Sequence, residues 1–313
     1  KEKYDIVSIT DYAKKASSTV EDYSKNDIIA VIYAQGEIAG GEGDVNVIGE
    51  GSIKRSLQEA REDKDVKAIV LRVNSPGGSA LTSELIWREI EITKKVKPVV
   101  VSMGNYAASG GYYIAANADR IFAEPNTITG SIGVFGMLPN MNQLGKNIGI
   151  NAEQVKTHEN ASGYSVFEPI DENFKGFVLE SIEKTYATFL KRVADGRKMT
   201  TAQVDAIAQG RVWTGVDAHK LGLVDEIGGL DAAIKYAAKL GKTSSYRTEN
   251  FPEYEKSFED LLANFTGMAM FKTKEQLLKE QLGEEGFQML EQIKRVKSRK
   301  GIQAIMPYEI QIH

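Results

Sequence analysis

The chain has 313 residues, of which 42% are hydrophobic and 26% are charged, so it is long enough for one large or two modest domains with a sizeable core. A formal net charge of -4 gives no electrostatic reason to expect nucleic acid as a partner. The chain has no cysteine, which excludes disulfides and thiolate metal sites.

The N-terminal stretch, residues 1–25, is mostly polar and has no clear hydrophobic period, so we predict a lead-in segment there. The sequence begins with Lys1 rather than Met, and no signal-peptide core follows it. No run approaches the roughly 18 consecutive apolar residues that indicate a membrane-spanning helix. We therefore expect a fragment or a processed product, with any membrane anchor of the parent protein upstream of Lys1.

Short apolar runs follow from residue 26 onwards, each of strand length and apolar at consecutive positions. Such runs suit strands that are covered on both faces by helices. Helix-period stretches lie between them, over residues 52–63 and 81–95. This alternation predicts an α/β fold with mainly parallel pairing. The predicted strands are Ile28–Ile32, Ile69–Val73, Val99–Val101 and Ile121–Ala123.

A long amphipathic helix is predicted after residue 171, where apolar residues recur at three- and four-residue steps. Asp171 is its predicted N-cap and Gly196 its predicted stop. We end the main domain, residues 26–241, where a last short helix closes, and we predict a helical C-terminal extension over residues 242–313. The shorter helices predicted before that boundary cover residues 200–209, 214–221 and 230–240.

Two glycine-containing turns, residues 74–79 and 104–111, directly follow predicted strands. Small residues around Ser109 in the second turn let the backbone bring its hydroxyl close to a substrate carbonyl. A helix is predicted just after this serine, and its free N–H groups would face a developing oxyanion. Either glycine pair alone is typical of a tight strand-to-helix turn. Both together favour an oxyanion hole in which Gly110 and the Gly77–Gly78 turn each supply an N–H, if the two loops converge.

A serine hydroxyl is a poor nucleophile unless a base removes its proton, and histidine is the usual base. The chain has three histidines: His158 in a polar loop, His219 at a predicted helix end and His313 at the last position. The sequence places no Asp or Glu to orient any of them, so it gives little support to a Ser-His-Asp triad. The alternative base is a lysine whose pKa, about 10.4 in water, is lowered by burial.

The chain resembles the signal peptide peptidase A (protease IV) family, serine peptidases of the bacterial cell envelope. The resemblance runs from about residue 25 to residue 240 and more loosely to the end. Several ordered motifs at family spacing are far more specific than a lone glycine pattern. The motifs are Leu71-Arg72-Val73-Asn74-Ser75-Pro76-Gly77-Gly78, Ala107-Ala108-Ser109-Gly110-Gly111-Tyr112-Tyr113, Thr129-Gly130-Ser131-Ile132-Gly133-Val134, Gly210-Arg211-Val212-Trp213-Thr214-Gly215 and Leu221-Gly222-Leu223-Val224-Asp225-Glu226.

The resemblance implies a crotonase-like α/β fold, shared with the Clp protease proteolytic subunit, and catalysis by a Ser/Lys dyad. It implies that Ser109 is the nucleophile and that Gly78 and Gly110 form the oxyanion hole. It also implies that Ser131, which alone would suggest a turn-capping hydroxyl, orients the lysine amine. No metal or organic cofactor is implied.

The chain departs from the family pattern at the general base. The position of the lysine in single-unit members falls here on Ala161, and alanine cannot accept a proton. Long members consist of two tandem halves, with the lysine in the N-terminal half and the serine in the C-terminal half, which this chain resembles. We therefore expect the base to come from a preceding segment or another chain. Lys156 is the in-chain alternative, although a strand-end lysine pointing to solvent is the more ordinary interpretation of it.

The preferred hypothesis is a serine endopeptidase that degrades cleaved signal peptides and other membrane-derived peptides. The resemblance implies peptide substrates, the upstream half of the same protein as a partner, and a homo-oligomer, with a tetramer for the long form. It implies a place in the cell envelope, with the peptidase domain outside the cytoplasm and a membrane anchor in a segment absent here. The alternatives are a pseudo-peptidase scaffold that lacks its base and an acyl-CoA-processing crotonase homologue, against which Ser109 and its following glycines speak.

Overall fold

The computed structural model describes residues 27–158, 161, 164–252, 283, 286–287, 290 and 302–306. Its strands are β1 (Asp27–Gln35), β2 (Glu37–Ala39), β3 (Gly43–Asp44), β4 (Val47–Gly49), β5 (Val66–Ser75), β6 (Gly77–Ser79), β7 (Val99–Ala108), β8 (Arg120–Ala123), β9 (Ile128–Gly130), β10 (Val212–Thr214), β11 (Glu226–Ile227), β12 (Tyr246–Phe251) and β13 (Gln303–Ile305). Its helices are α1 (Glu50–Glu62), α2 (Ala80–Lys94), α3 (Gly110–Ala115), α4 (Asn142–Asn147), α5 (Glu172–Arg197), α6 (Thr201–Ile207), α7 (Gly215–Lys220) and α8 (Leu230–Leu240).

The main sheet has the strand order β10–β9–β7–β5–β1–β12, with β8 beside β7 and β11 beside β8. Its pairs are parallel except that of β9 with β10. β1 shows why consecutive apolar residues form such a strand. Ile28 and Ile32 pack in the larger core with α1 and α2, whereas Ile29 and Val31 face a smaller core with α8. Both faces of the sheet are therefore covered, and the predicted α/β fold with mainly parallel pairing is confirmed.

A smaller sheet has the order β13–β6–β2–β4–β3. It begins where the central strands of the main sheet end, because β1 continues into β2 through Gly36 and β5 continues into β6 through Pro76. The Gly77–Gly78 turn predicted from the sequence is thus a short strand of this second sheet. The carboxyl ends of parallel strands are where α/β proteins place their binding sites.

The long helix α5 begins as predicted, because the Asp171 carboxylate accepts a hydrogen bond from the Asn173 N–H at 3.0 Å. The prediction that Gly196 ends it is wrong. The helix continues through Arg197, and Lys198 caps it in the left-handed conformation with φ 55°. A methyl group at Gly196 would lie 2.4 Å from the Ala116 carbonyl oxygen, so this glycine lets α5 approach the end of α3.

The predicted helical extension, residues 242–313, differs from the structure in the two stretches of it that form strands. Residues 246–251 form β12, which pairs in parallel with β1 and so belongs to the main sheet. Residues 303–305 form β13 in the smaller sheet. The rest of the extension, apart from residues 242–252, 283, 286–287, 290, 302 and 306, lies outside the described residues, as does the lead-in segment. Among the described helices, none is both long and apolar enough to cross a membrane.

Candidate active site

Ser109 occupies the tight turn between β7, which ends at Ala108, and α3, which begins at Gly110. Its backbone has φ 53° and ψ -115°, a conformation that residues other than glycine rarely adopt. Such strain persists where surrounding bonds hold the backbone in place, and it concentrates at active sites. Here the Ser109 N–H donates to the Gly130 carbonyl, and the Ser109 carbonyl accepts from the Tyr113 N–H, both at 2.8 Å. A strained serine between a strand and a helix is the arrangement of a nucleophile elbow.

The helix that follows this turn is anchored in the core, since all residues of α3 are buried. The Tyr112 hydroxyl donates to the Leu223 carbonyl at 2.8 Å, and the Tyr113 hydroxyl donates to Glu84 of α2. Burial raises the pKa of both tyrosines well above its ordinary value, so both remain neutral donors. Arg192 of α5 donates to the same Glu84 carboxylate. This cluster, which the sequence did not reveal, joins the helix that follows the serine turn to α2 and α5.

The two glycine turns meet at the end of the sheet. An ideal Cβ at Gly77 would lie 2.7 Å from the Gly110 nitrogen. An ideal Cβ at Gly110 would lie 3.2 Å from the Gly78 nitrogen and 2.7 Å from Ser83 Oγ. Gly77 also has φ 101°, a backbone angle that residues with a side chain rarely adopt. Glycine is therefore required here for close approach of two backbones, and their N–H groups lie within a few ångströms of the serine turn.

Ser131 lies beside Ser109 on the neighbouring chain segment. β7 and β9 are parallel with Ala108 opposite Gly130, so each serine directly follows one of two adjacent strand ends. Ser131 is 2% exposed and has φ 47°, a second strained non-glycine position. Ser109 Oγ lies 3.4 Å from the carbonyl oxygen of Gly133, two residues beyond Ser131. The structure therefore brings together the serines and glycines that the sequence singled out.

In the described residues, none of the candidate bases contacts the Ser109 hydroxyl. Within the described residues, the Ser109 hydroxyl bonds to the Gly133 carbonyl, and no imidazole, amine or carboxylate contacts it. His158 is exposed, and Nδ1 of His219, near the end of α7, lies 3.2 Å from the Val224 carbonyl oxygen. His313 lies outside the described residues. No histidine base is therefore seen next to the serine in the described part of the chain.

Lys156 and Ala161, the two positions weighed for a lysine base, are both exposed. A catalytic lysine needs burial or a neighbouring cation to lower its pKa, because an amine in water keeps its proton at neutral pH. Residues 159–160 and 162–163 lie outside the described part of the chain.

The described residues contain no group of three or more histidine, aspartate or glutamate side chains arranged to hold a metal ion.

A third segment, which the sequence did not connect with the site, borders the glycine turns. β13 runs antiparallel to β6 with Ala304 opposite Gly78. An ideal Cβ at Gly77 would lie 2.2 Å from the Ala304 carbonyl oxygen, so the two backbones are in direct contact. The segment Ile302–Met306 is apolar apart from Gln303, yet nothing local in the sequence identifies its distant partner strand.

The chain is similar in sequence to known peptidases. The model of peptidase family S49 matches residues 91–244. The chain is 45% identical over 239 residues to Protease 4 of Haemophilus influenzae, an alignment that covers 76% of this chain and 39% of that protein. It is 35% identical over 230 residues to a putative signal peptide peptidase SppA of Enterococcus faecium, with 72% of this chain and 67% of that protein covered.

Among solved structures, a ClpP1 variant from Listeria monocytogenes matches with a TM-score of 0.44 and 16% identity, covering 65% of this chain and 94% of that one. The chain spans 39% and 42% of the length of the Protease 4 relatives from Haemophilus influenzae and Salmonella typhi. The Enterococcus relative, in contrast, is matched over two thirds of its own length at 35% identity. The chain therefore belongs to peptidase family S49, the protease IV and SppA family.

Proposed function

We propose that this chain supplies the nucleophile and the oxyanion hole of a serine endopeptidase that works with a Ser/Lys dyad. The observation that carries the proposal is the strained Ser109 turn beside the converging backbones of Gly78 and Gly110. Two backbone N–H groups next to a strained serine suit the tetrahedral intermediate of acyl transfer. An acyl-CoA-processing homologue would need the oxyanion hole but has no use for such a serine.

In the proposed mechanism, Ser109 Oγ attacks the carbonyl carbon of a peptide bond while the base takes the hydroxyl proton. The N–H groups of Gly78 and Gly110 donate to the oxyanion, and each such donor contributes about 3–4 kcal/mol to the transition state. The proton passes to the leaving amine as the C–N bond breaks, and an acyl ester remains on Ser109. Water then attacks the ester, giving the carboxylic acid and free serine. Ser131 is proposed to orient the amine of the base.

The base is proposed to be a lysine from outside these 313 residues. Three observations support this. The Ser109 hydroxyl has a carbonyl partner and no basic partner in the described residues. Alanine stands at 161, where single-unit relatives are expected to carry the lysine, and Lys156 is exposed. The chain spans 39% of the Haemophilus Protease 4, so an upstream half has room to supply the amine.

We further propose that the substrates are cleaved signal peptides and other membrane-derived peptides, in the bacterial cell envelope. The support is family membership and the relative named signal peptide peptidase. A homo-oligomer, with four copies for the two-half protein, would enclose the active sites. Sedimentation of the two-half protein at a mass other than that of an oligomer would contradict this part of the proposal.

The experiment is casein hydrolysis by this chain alone and by a longer protein in which the upstream half is restored. We expect activity in the longer protein only, and loss of that activity in its Ser109→Ala variant. Serine-dependent activity in the short chain would mean that the base is internal, and Lys156→Ala would then be compared with the exposed-lysine control Lys175→Ala. No serine-dependent activity in either protein would favour the scaffold hypothesis.

A further inference from the structure

The loop formed by residues 208–211 bonds directly to the backbone around Ser131. The Ser131 N–H donates to the Arg211 carbonyl at 2.7 Å. The Gly210 N–H donates to the Ile132 carbonyl at 2.9 Å, so the two chain segments exchange bonds in both directions. The motif that begins at Gly210 is therefore in direct contact with the second serine of the site.

The backbone conformation of Ser131 depends on this loop. Ser131 has φ 47°, and a strained conformation of this kind persists only where the surrounding structure holds it. The loop that supplies the Arg211 carbonyl is itself in an unusual conformation, since Gln209 has φ 59° and Gly210 has φ 74°. The orientation of Ser131 therefore requires that the loop be held in place as well.

Trp213, in β10, contacts both the loop and the strand that leads to Ser131. Its indole Nε1–H donates to the Ile207 carbonyl at 3.0 Å, which ties the residues before and after the loop to each other. The same ring lies against Gly130, the last residue of β9, because an ideal Cβ at Gly130 would lie 2.7 Å from Trp213 Cδ1. One side chain thus fixes the loop 208–211 relative to the backbone that immediately precedes Ser131.

Tyr186 of α5 holds the same loop at a different point. Its hydroxyl accepts a hydrogen bond from the Gln209 N–H at 3.2 Å and donates one to the Asp205 carboxylate at 2.6 Å. Tyr186 and Trp213 are both partly buried and pack against the main core. The loop is therefore fastened to the rigid part of the fold by two aromatic side chains.

We propose that Trp213 is a positioning residue for Ser131, which it keeps in place by holding the loop 208–211 against the end of β9. The inference rests on the proposed function for the role of Ser131, because a hydroxyl that orients the amine of the base must itself be fixed. Trp213 acts through Ser131 and is not a catalytic residue. Its loss should therefore lower kcat and leave the KM of peptide substrates nearly unchanged.

The first test is a double-mutant cycle in the two-half protein, with the hydrolysis of one fluorogenic peptide as the readout. Trp213→Phe keeps an aromatic ring and removes the indole N–H, and it is measured both with Ser131 present and in a Ser131→Ala background. The matched control is Trp87→Phe, at the other of the two tryptophans in the chain. Trp87 is buried on α2, where its ring centroid lies 3.8 Å from the guanidinium carbon of Arg192.

We expect Trp213→Phe to lower kcat roughly tenfold when Ser131 is present, with KM changed by less than about twofold. In the Ser131→Ala background the same change should lower kcat by less than about twofold, because the side chain that it positions is gone. A merely structural role would give the same loss in both backgrounds, as we expect for Trp87→Phe. Equal losses for Trp213→Phe with and without Ser131 would overturn the inference.

The second test is amide hydrogen exchange of this chain, resolved by NMR, and it requires no hydrolysis. Exchange at the Ser131 and Gly210 amides should be roughly tenfold faster in Trp213→Phe than in the parent, because the loop that bonds to them is loosened. The Trp87→Phe control should leave both amides unchanged, and neither variant should alter exchange in β1 and β5. Unchanged exchange at both amides in Trp213→Phe would overturn the inference whatever the activity.

Two further outcomes are separated by these measurements. If Trp213→Phe does not fold, Tyr186→Phe takes its place in both tests with the same expected pattern, since it removes the hydroxyl that accepts from Gln209 of the same loop. Absence of serine-dependent hydrolysis in the two-half protein would contradict the proposed function, and the exchange rates would then decide the inference by themselves.

Discussion

Gly110 and Gly78 approach each other so closely that a methyl group added to Gly110 would lie 3.2 Å from the Gly78 nitrogen. The two residues come from separate turns, one after β5 and one after β7, which are neighbouring parallel strands. A parallel sheet brings the carboxyl ends of neighbouring strands to one edge. The N–H groups of Gly78 and Gly110 therefore lie close together, and neither turn alone could provide this pair of donors.

Gly110→Ala tests this arrangement directly. The new methyl would enter the space of the proposed oxyanion, so kcat/KM of the two-half protein should fall by roughly 10²-fold or more. The methyl would also lie 2.7 Å from Ser83 Oγ. Adding Ser83→Ala removes that contact, although the Ala304 carbonyl oxygen at 2.9 Å remains, and should restore part of the thermal stability without restoring activity. Recovery of activity in the double variant would mean that crowding of Ser83, and not loss of the oxyanion site, caused the defect.

Ser109→Gly and Ser109→Ala should differ in stability although both lack the hydroxyl. Serine and alanine are strained at φ 53°, whereas glycine is not. We expect the glycine variant to be more stable by about 1 kcal/mol in urea unfolding, while both are inactive. A glycine variant less stable than the alanine variant would show that the backbone at this turn carries no strain.

Glu84→Gln should destabilise the chain by about 1–2 kcal/mol, because it leaves the partly buried Arg192 without its carboxylate and weakens the anchor of Tyr113. The matched control is Glu180→Gln, which breaks an exposed ion pair between Glu180 and Lys184, both on α5. This change should alter the free energy of unfolding by less than about 0.5 kcal/mol. Urea unfolding of both variants makes the comparison, and similar losses would argue against a special role of the Glu84 cluster.

The Tyr186 hydroxyl should make the free energy of unfolding depend on pH in the alkaline range. Burial, with the hydrogen bond that its hydroxyl donates to Asp205, raises the pKa of Tyr186 to about 12. Tyrosine in the unfolded chain titrates near pH 10, so this hydroxyl stabilises the fold fully below about pH 10 and progressively less as pH rises through 12. The difference in unfolding free energy between the parent and Tyr186→Phe should therefore be constant from pH 7 to pH 9 and should shrink above about pH 10. A difference that stays constant to pH 12 would contradict the prediction.

The sequence alone predicted the strands and helices whose surroundings stay the same along their whole length. β1, β5 and β7 carry consecutive apolar residues because both faces of the sheet are covered, and α8 has the predicted bounds, Leu230–Leu240. The serine turn was also predictable, because small residues around one serine leave few alternatives. β12 was missed because it lies at the edge of the sheet, where four of its six residues are polar and none is buried.

Tertiary structure decided what depends on contacts between distant segments. Gly196 looks like a helix stop in sequence, yet it is a contact point for Ala116, about eighty residues away. The strained Ser109 turn is held by a hydrogen bond to Gly130, a partner that no local pattern encodes. The pairing of Gln303–Ile305 with Gly77–Ser79 spans more than two hundred residues. The sequence by itself determined the central strands β1, β5 and β7 and the serine turn, because local apolar patterns and small residues specify them. The place of β13 beside β6 depends on long-range backbone pairing, which leaves no local signal.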